Sequence, residues 1–155
     1  MVSAIRVIDV EATTTGVVRG GVARSELSTF VPAACGEVWS FIRAAGLLNP
    51  GRNIALYWDA PGWVEAGVEV SEAFPGNDRV QCSQLPGGRV ATTTHFGPYG
   101  GLSRTHDRIR EWCAANGHRP TGICWEIYGH WDESWNADPS TIRTDVFHLL
   151  LMNAG

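Results

Sequence analysis

Glu126 is the residue in this 155-residue chain whose setting most needs a chemical explanation. It stands in Ile123-Cys124-Trp125-Glu126-Ile127-Tyr128-Gly129-His130-Trp131, between Pro120-Thr121-Gly122 and Asp132-Glu133-Ser134. A β-branched and aromatic run bounded by turn residues reads as a strand. Side chains alternate across a strand, so Ile123, Trp125 and Ile127 share a core face while Cys124, Glu126, Tyr128 and His130 share the other. That second face sets a carboxylate between a thiol and a phenol, and a buried carboxylate is costly unless it is paired or used. Two uses fit: a fixed counter-charge for a cation, or a general base acting on water. The plainer alternative is a half-buried strand with Glu126 turned to solvent.

Aromatic residues supply possible walls. Among seven Trp, Trp58 and Trp63 adjoin Tyr57, while Trp112, Trp125, Trp131 and Trp135 lie around the Glu126 stretch. Core filling accounts for Trp39 and Trp112 on helices, but Trp and Tyr gathered about one carboxylate can also stack on flat or cationic ligands. The other chemical signals are weak. Cys35, Cys82, Cys113 and Cys124 form no Cys-x-x-Cys pair, and His95, His106, His118, His130 and His148 are scattered, so neither a metal nor a cofactor is expected. Gly97-Pro98-Tyr99-Gly100-Gly101 precedes a helical pattern but lacks the Gly-Lys-Ser/Thr ending of a phosphate loop, and reads as a structural turn.

The elements that must position Glu126 repeat along the chain. Gly51 to Asp59 lies on Gly122 to His130 at an offset of 71 residues, which pairs Tyr57 with Tyr128 and sets Ala55 against Glu126. The same offset of 71 pairs Val31 with Leu102, Val38 with Ile109, Phe41 with Trp112 and Gly46 with Gly117. Each half then reads strand, helix, strand, strand, as two copies of one unit sharing a core. The halves, about 1–75 and 79–155, are alike in frame and differ where chemistry can sit.

In order, Ile5 to Glu11 reads as the opening strand, with Val17-Val18 as its continuation past Gly16. Leu27 to Ala45 carries apolar residues at three- and four-residue steps and reads as an amphipathic helix, started near Ser25-Glu26 and stopped by Gly46. Pro32 implies either a start nearer Val31 or a kink. Asn53 to Trp58 is a strand, Asp59-Ala60-Pro61-Gly62 a turn, and Trp63 to Phe74 the returning strand, with Gly67 as a bulge candidate. Pro75 to Asp78 is a hinge too short to separate independent domains, so 1–155 is one domain. Val80 to Leu85 and Arg89 to Phe96 are strands, and Leu102 to Asn116 is a helix with Leu102, His106, Ile109 and Cys113 near one face. Asp132 to Pro139 is a polar loop carrying Trp135. In the last strand, Ile142 to Leu151, Thr144, Val146, His148 and Leu150 share a side. The fold class is α+β.

Charge and hydropathy exclude other classes. A net charge of −4, with 12 Lys and Arg and no basic run, argues against nucleic-acid binding. No apolar run reaches the roughly 20 residues of a membrane span, and 1–21 lacks the pattern of a secretory signal, so no membrane contact and a cytoplasmic location are expected.

Several residues together carry a family resemblance. Leu85-Pro86-Gly87-Gly88-Arg89, His95-Phe96-Gly97-Pro98-Tyr99, Leu102, Trp112, Asn116-Gly117, Trp125-Glu126-Ile127-Tyr128 and Thr144-Asp145-Val146-Phe147 resemble the GyrI-like family, the small-molecule effector-binding domain of AraC- and MerR-type regulators. The resemblance spans nearly the whole chain and is most specific over Leu85 to Phe147. It implies two βαββ units related by a pseudo-two-fold axis, an antiparallel sheet, and a central groove that binds hydrophobic, often cationic molecules. Within the Glu-x-Tyr strand it points to Glu126 and Tyr128. The remaining wall candidates are Tyr57, Trp58, Trp63, Trp125, Phe41, Trp39, His95 and Tyr99. The chain has no residues left for a helix-turn-helix domain, so a stand-alone member is expected. Stand-alone members of the resembled family bind drugs, modulate DNA gyrase, or hydrolyse cyclopropane rings of alkylating natural products. The expected function is recognition or sequestration of aromatic or cationic molecules. The alternatives are a cyclopropanoid hydrolase, with Glu126 as base and Tyr128 supporting the developing oxyanion, and a gyrase-modulating protein.

Overall fold

Turn residues cut the chain into eight strands and three helices, which the computed structural model describes over residues 4–58 and 62–152. They are β1 (Arg6–Val10), β2 (Thr13–Gly21), α1 (Leu27–Ala45), β3 (Asn53–Tyr57), β4 (Trp63–Glu69), β5 (Gln81–Leu85), β6 (Gly88–Phe96), α2 (Leu102–Ala115), β7 (Pro120–Tyr128), α3 (Ser134–Ala137) and β8 (Arg143–Leu150). Helix α1 ends where Gly46 takes φ 68°, a left-handed stop in which the Gly46 and Leu47 amides donate to the Arg43 and Ile42 carbonyls.

Four expectations change. Val17 and Val18 do not prolong the first strand. They belong to β2, which lies elsewhere in the sheet, so each half reads strand, strand, helix, strand, strand. Helix α1 starts at Leu27 and Pro32 stands inside it, so the later start is not taken. Gly67 is no bulge: β4 keeps unbroken register through it with both neighbours, and the glycine is needed because a Cβ there would lie 1.9 Å from the Gly16 carbonyl oxygen. The register shift falls in β7 instead, between Pro120 and Cys124. The stretch 132–139 contains α3, which buries Trp135. In the expected turn at 59–62, Asp59, Ala60 and Pro61 lie outside the described residues.

All eight strands join one antiparallel sheet in the order β1-β6-β8-β7-β3-β4-β2-β5. Read inward from either edge, the order is the same in terms of each half's own strands, except that the first strands are exchanged. β1 of the first half pairs with β6 of the second, and β5 of the second pairs with β2 of the first. Only Pro86 and Gly87 separate β5, an edge strand, from β6 near the opposite edge, so the sheet must curl strongly without closing. Its helix-free face fills with Val17, Ile54, Leu56, Leu85, Val90, Trp125 and Ile127, drawn from both halves. At roughly 1.5–3 kcal/mol for each large apolar side chain, this shared layer welds the halves together.

The other face carries the helices on its flanks. Val38 and Ile42 of α1 pack with Val18, Ala66 and Val68, while Ile109 and Cys113 of α2 pack with Ala91, Val146 and Leu150. The centre of this face is the β3–β7 pair, and it lies between the two helices.

Candidate functional site

The pseudo-two-fold axis runs between Ala55 and Glu126. These two residues are partners in the antiparallel β3–β7 register and also correspond at the 71-residue offset. A position on the axis faces its own counterpart, so two large side chains would collide there and the pair takes one small and one long residue. Tyr57 and Tyr128, two residues further along each strand, are related by the same axis and point to the same face as Glu126. Both converge on it: the Tyr57 hydroxyl donates to Glu126 Oε1 at 3.0 Å and the Tyr128 hydroxyl to the same oxygen at 2.5 Å. Burial, then the Glu126 charge, holds both phenols above their ordinary range, so they stay protonated donors.

The other carboxylate oxygen belongs to α2. His106 Nε2 lies 2.7 Å from Glu126 Oε2, and His106 Nδ1 lies 2.8 Å from Nε2 of His148 on β8. Burial opposes a charge on His106, but Cys124 and Glu126 outweigh it and raise the imidazole from 6.5 to about 9. His148 goes the other way, down to about 3, through burial, the neighbouring His106 charge and Arg110. His106 is thus the protonated member and donates at both ends, to Glu126 and to His148. Glu126 is only 4% exposed, with three donors on its two oxygens and one lone pair remaining on Oε2.

Above this cluster opens a cavity of about 860 Å³ between α1 and α2. Tyr57, Tyr128, Glu126, His106 and Cys124 form its polar floor, and Val31, Pro32, Cys35 and Trp39 of α1 form one wall. Aromatics gather at the rim, where Trp58, Trp63, Tyr99 and Trp131 are 39%, 41%, 44% and 55% exposed, enough for a ring face to meet an entering ligand. Tyr99 stands edge-on to Tyr128 with centroids 5.7 Å apart, linking rim to floor.

Of the residues singled out from the sequence, Glu126, Tyr128, Tyr57, Trp58, Trp63, Trp39 and Tyr99 line the cavity. Three lie elsewhere. Trp125 points to the helix-free core, stacked on Phe147 at 5.5 Å, because it alternates with Glu126. Phe41 packs against Phe74 beside the core under α1. His95 is held by Thr105 Oγ1 at 2.8 Å and the Pro98 carbonyl at 3.1 Å. The cluster of His106, His148 and Cys124 was missed as a unit, since its members come from α2, β8 and β7. One signal was available: the 71-residue offset sets Cys35 against His106, a second mismatch between the halves beside Ala55 and Glu126.

Comparison with known proteins places the family and the fold. The GyrI-like small molecule binding domain matches residues 2–147. A DNA gyrase inhibitor of Pectobacterium carotovorum is 28% identical over 125 residues, 69% of this chain and 80% of that protein. Among solved structures, the EcmrR C-terminal domain superposes with a TM-score of 0.77 at 18% identity, covering 97% of this chain and 98% of that one. A hydrolase from Listeria innocua gives 0.60 at 13% identity, covering 95% and 91%. SAV2435 bound to tetraphenylphosphonium gives 0.63 at 8% identity, covering 96% and 94%. At these identities the structural likenesses speak for the fold.

Proposed function

The chain belongs to the GyrI-like small-molecule-binding family, and from that premise we propose that its cavity takes a hydrophobic aromatic molecule whose positively charged or hydrogen-donating group faces Glu126. The observation that carries this reading is the convergence of Tyr57, Tyr128 and His106 on one buried carboxylate beneath an aromatic rim. A cavity of about 860 Å³ suits a drug-sized ligand of several rings. The rim rings offer stacking and cation–π contact, and Oε2 keeps one acceptor position for the ligand. The tetraphenylphosphonium held by SAV2435, a chain of this fold, is an aromatic cation and supports the same class.

Hydrolysis of cyclopropanoid compounds is the second reading, favoured by the hydrolase of this fold from Listeria innocua. Glu126 would then take a proton from water at its remaining Oε2 position, while Tyr57 or Tyr128 would have to leave Oε1 to support a developing oxyanion. Three donors already seated on Glu126 suit a fixed anchor better than a base. A gyrase-directed role rests on the Pectobacterium relative alone.

One experiment separates the two chemical readings. The protein is incubated with a duocarmycin-type cyclopropane compound while tryptophan fluorescence and the mass of the small molecule are followed. Stoichiometric quenching with the mass unchanged supports binding. Addition of water over many turnovers, lost in Glu126→Gln, replaces it with hydrolysis.

A further inference from the structure

We propose that His106, Cys124 and His148 form a three-ligand site for a zinc-class metal ion, with its fourth position open to the cavity. One donor atom from each of the three lies within 4.8 Å of the others, and all three residues are buried. Two imidazoles and a thiol are the donor set that a borderline-soft divalent ion selects, and three protein ligands with one open position is the arrangement of zinc sites that bind a further group. This proposal does not depend on the ligand class proposed above.

The partner of His106 on its far side strengthens the assignment. Its Nε2 is tied to Glu126 Oε2 at 2.7 Å, which fixes the ring and leaves Nδ1 aimed at His148 Nε2. A carboxylate on the distal nitrogen of a ligating histidine is the usual outer shell of a zinc site, where it sets the tautomer and makes the near nitrogen a better donor. His106 and Cys124 border the cavity whereas His148 does not, so the open coordination position faces the ligand space.

The other half of the molecule shows that the fold does not require these residues. Tyr57 pairs with Val64 as Tyr128 pairs with Thr144, and by the same register Asn53 with Val68 corresponds to Cys124 with His148. On the helices Cys35 corresponds to His106. The first half thus builds the equivalent place with Cys35, Asn53 and Val68, and all three of its counterparts in the second half are metal-ligand types. Binding would replace the Cys124 thiol proton and the hydrogen between the two imidazoles, releasing both to solvent. The facing nitrogens, 2.8 Å apart, would open to about 3.3 Å to span a tetrahedral ion at Zn–N distances of 2.0–2.1 Å.

The test loads chelator-stripped protein with Zn2+ against a chromophoric competitor, and separately with Co2+ as a spectroscopic substitute. One Zn2+ per chain, with a Co2+ adduct showing intense tetrahedral bands and a thiolate-to-metal charge-transfer band, is the expected result. Cys124→Ser should abolish the charge-transfer band, and Cys124→Ser or His148→Gln should weaken Zn2+ binding at least 10-fold, whereas Cys82→Ser should do neither. No Zn2+ retained at micromolar concentration, or a Co2+ adduct of the wild-type protein without the thiolate band, overturns the proposal. The wild-type spectrum decides even if the variants fail to fold.

Discussion

Among the described residues each half buries a glutamate paired with a cation, Arg19 for Glu65 and His106 for Glu126, but the two stand in different surroundings. Glu65 on β4, 1% exposed, meets Arg19 at 3.0 Å, the Trp58 indole at 2.9 Å and Ser83 at 2.6 Å, so a cation from a neighbouring strand neutralises it. Glu126 on β7 meets two phenols and one histidine at the foot of a cavity. Each carboxylate holds three donors on its two oxygens, so what separates them is place: Glu65 does not line the cavity and ties strands together, whereas Glu126 lies on the cavity floor, where its remaining acceptor position can serve a ligand. The same contrast runs through the repeat, since one frame has been kept in both halves and chemistry added to one.

The largest effect should come from separating the halves. Cutting within 75–78 and expressing the pieces apart removes β6 from β1 and β2 from β5, and strips the shared layer around Trp125 and Ile54. Neither piece should show a cooperative melt, while two independently melting fragments would refute the exchanged-strand account. Next comes Ala55→Glu, which sets a second carboxylate directly across the axis from Glu126. Like charges at a buried cross-strand pair should cost about 3–5 kcal/mol in denaturant unfolding, and a loss under about 1 kcal/mol would mean that the axis pair is not confined as described.

A smaller effect separates the two carboxylates. Glu65→Gln should lose about 1.5–3 kcal/mol of stability, with ligand affinity falling far less than in Glu126→Gln because the amide oxygen can still accept from the Trp58 indole. A large drop in affinity there would erase the distinction drawn between them. Smallest is the difference between Tyr57→Phe and Tyr128→Phe. Each removes one donor to the same oxygen, so their stability losses should agree within roughly 0.5 kcal/mol, and a wide gap would show that the axis does not govern the floor.

Much of this frame was legible because it rests on local periodicity. The alternation in 123–131 separated Trp125 from Glu126, the steps of three and four located both main helices, and the offset of 71 found Tyr57 and Tyr128 as a pair. The exchange of β1 and β5 was not legible, since strand partners are set by how the sheet curls and short strands carry no mark of their neighbours. Nor was the link from Glu126 to His106 and His148, which joins residues 20 and 42 positions apart through tertiary packing. Trp125 was misplaced as a wall residue when clustering in sequence was weighed above the alternation that puts it on the core face.

The central claim is that Glu126 holds a ligand, and calorimetric titration tests it most directly. Tetraphenylphosphonium and the neutral tetraphenylmethane framework bearing a solubilising group are titrated into wild-type protein and Glu126→Gln. The account predicts that the substitution weakens the cation by about 1–3 kcal/mol and the neutral compound by much less, with the melting profile retained. Equal losses for both compounds, or no loss for the cation, would contradict it.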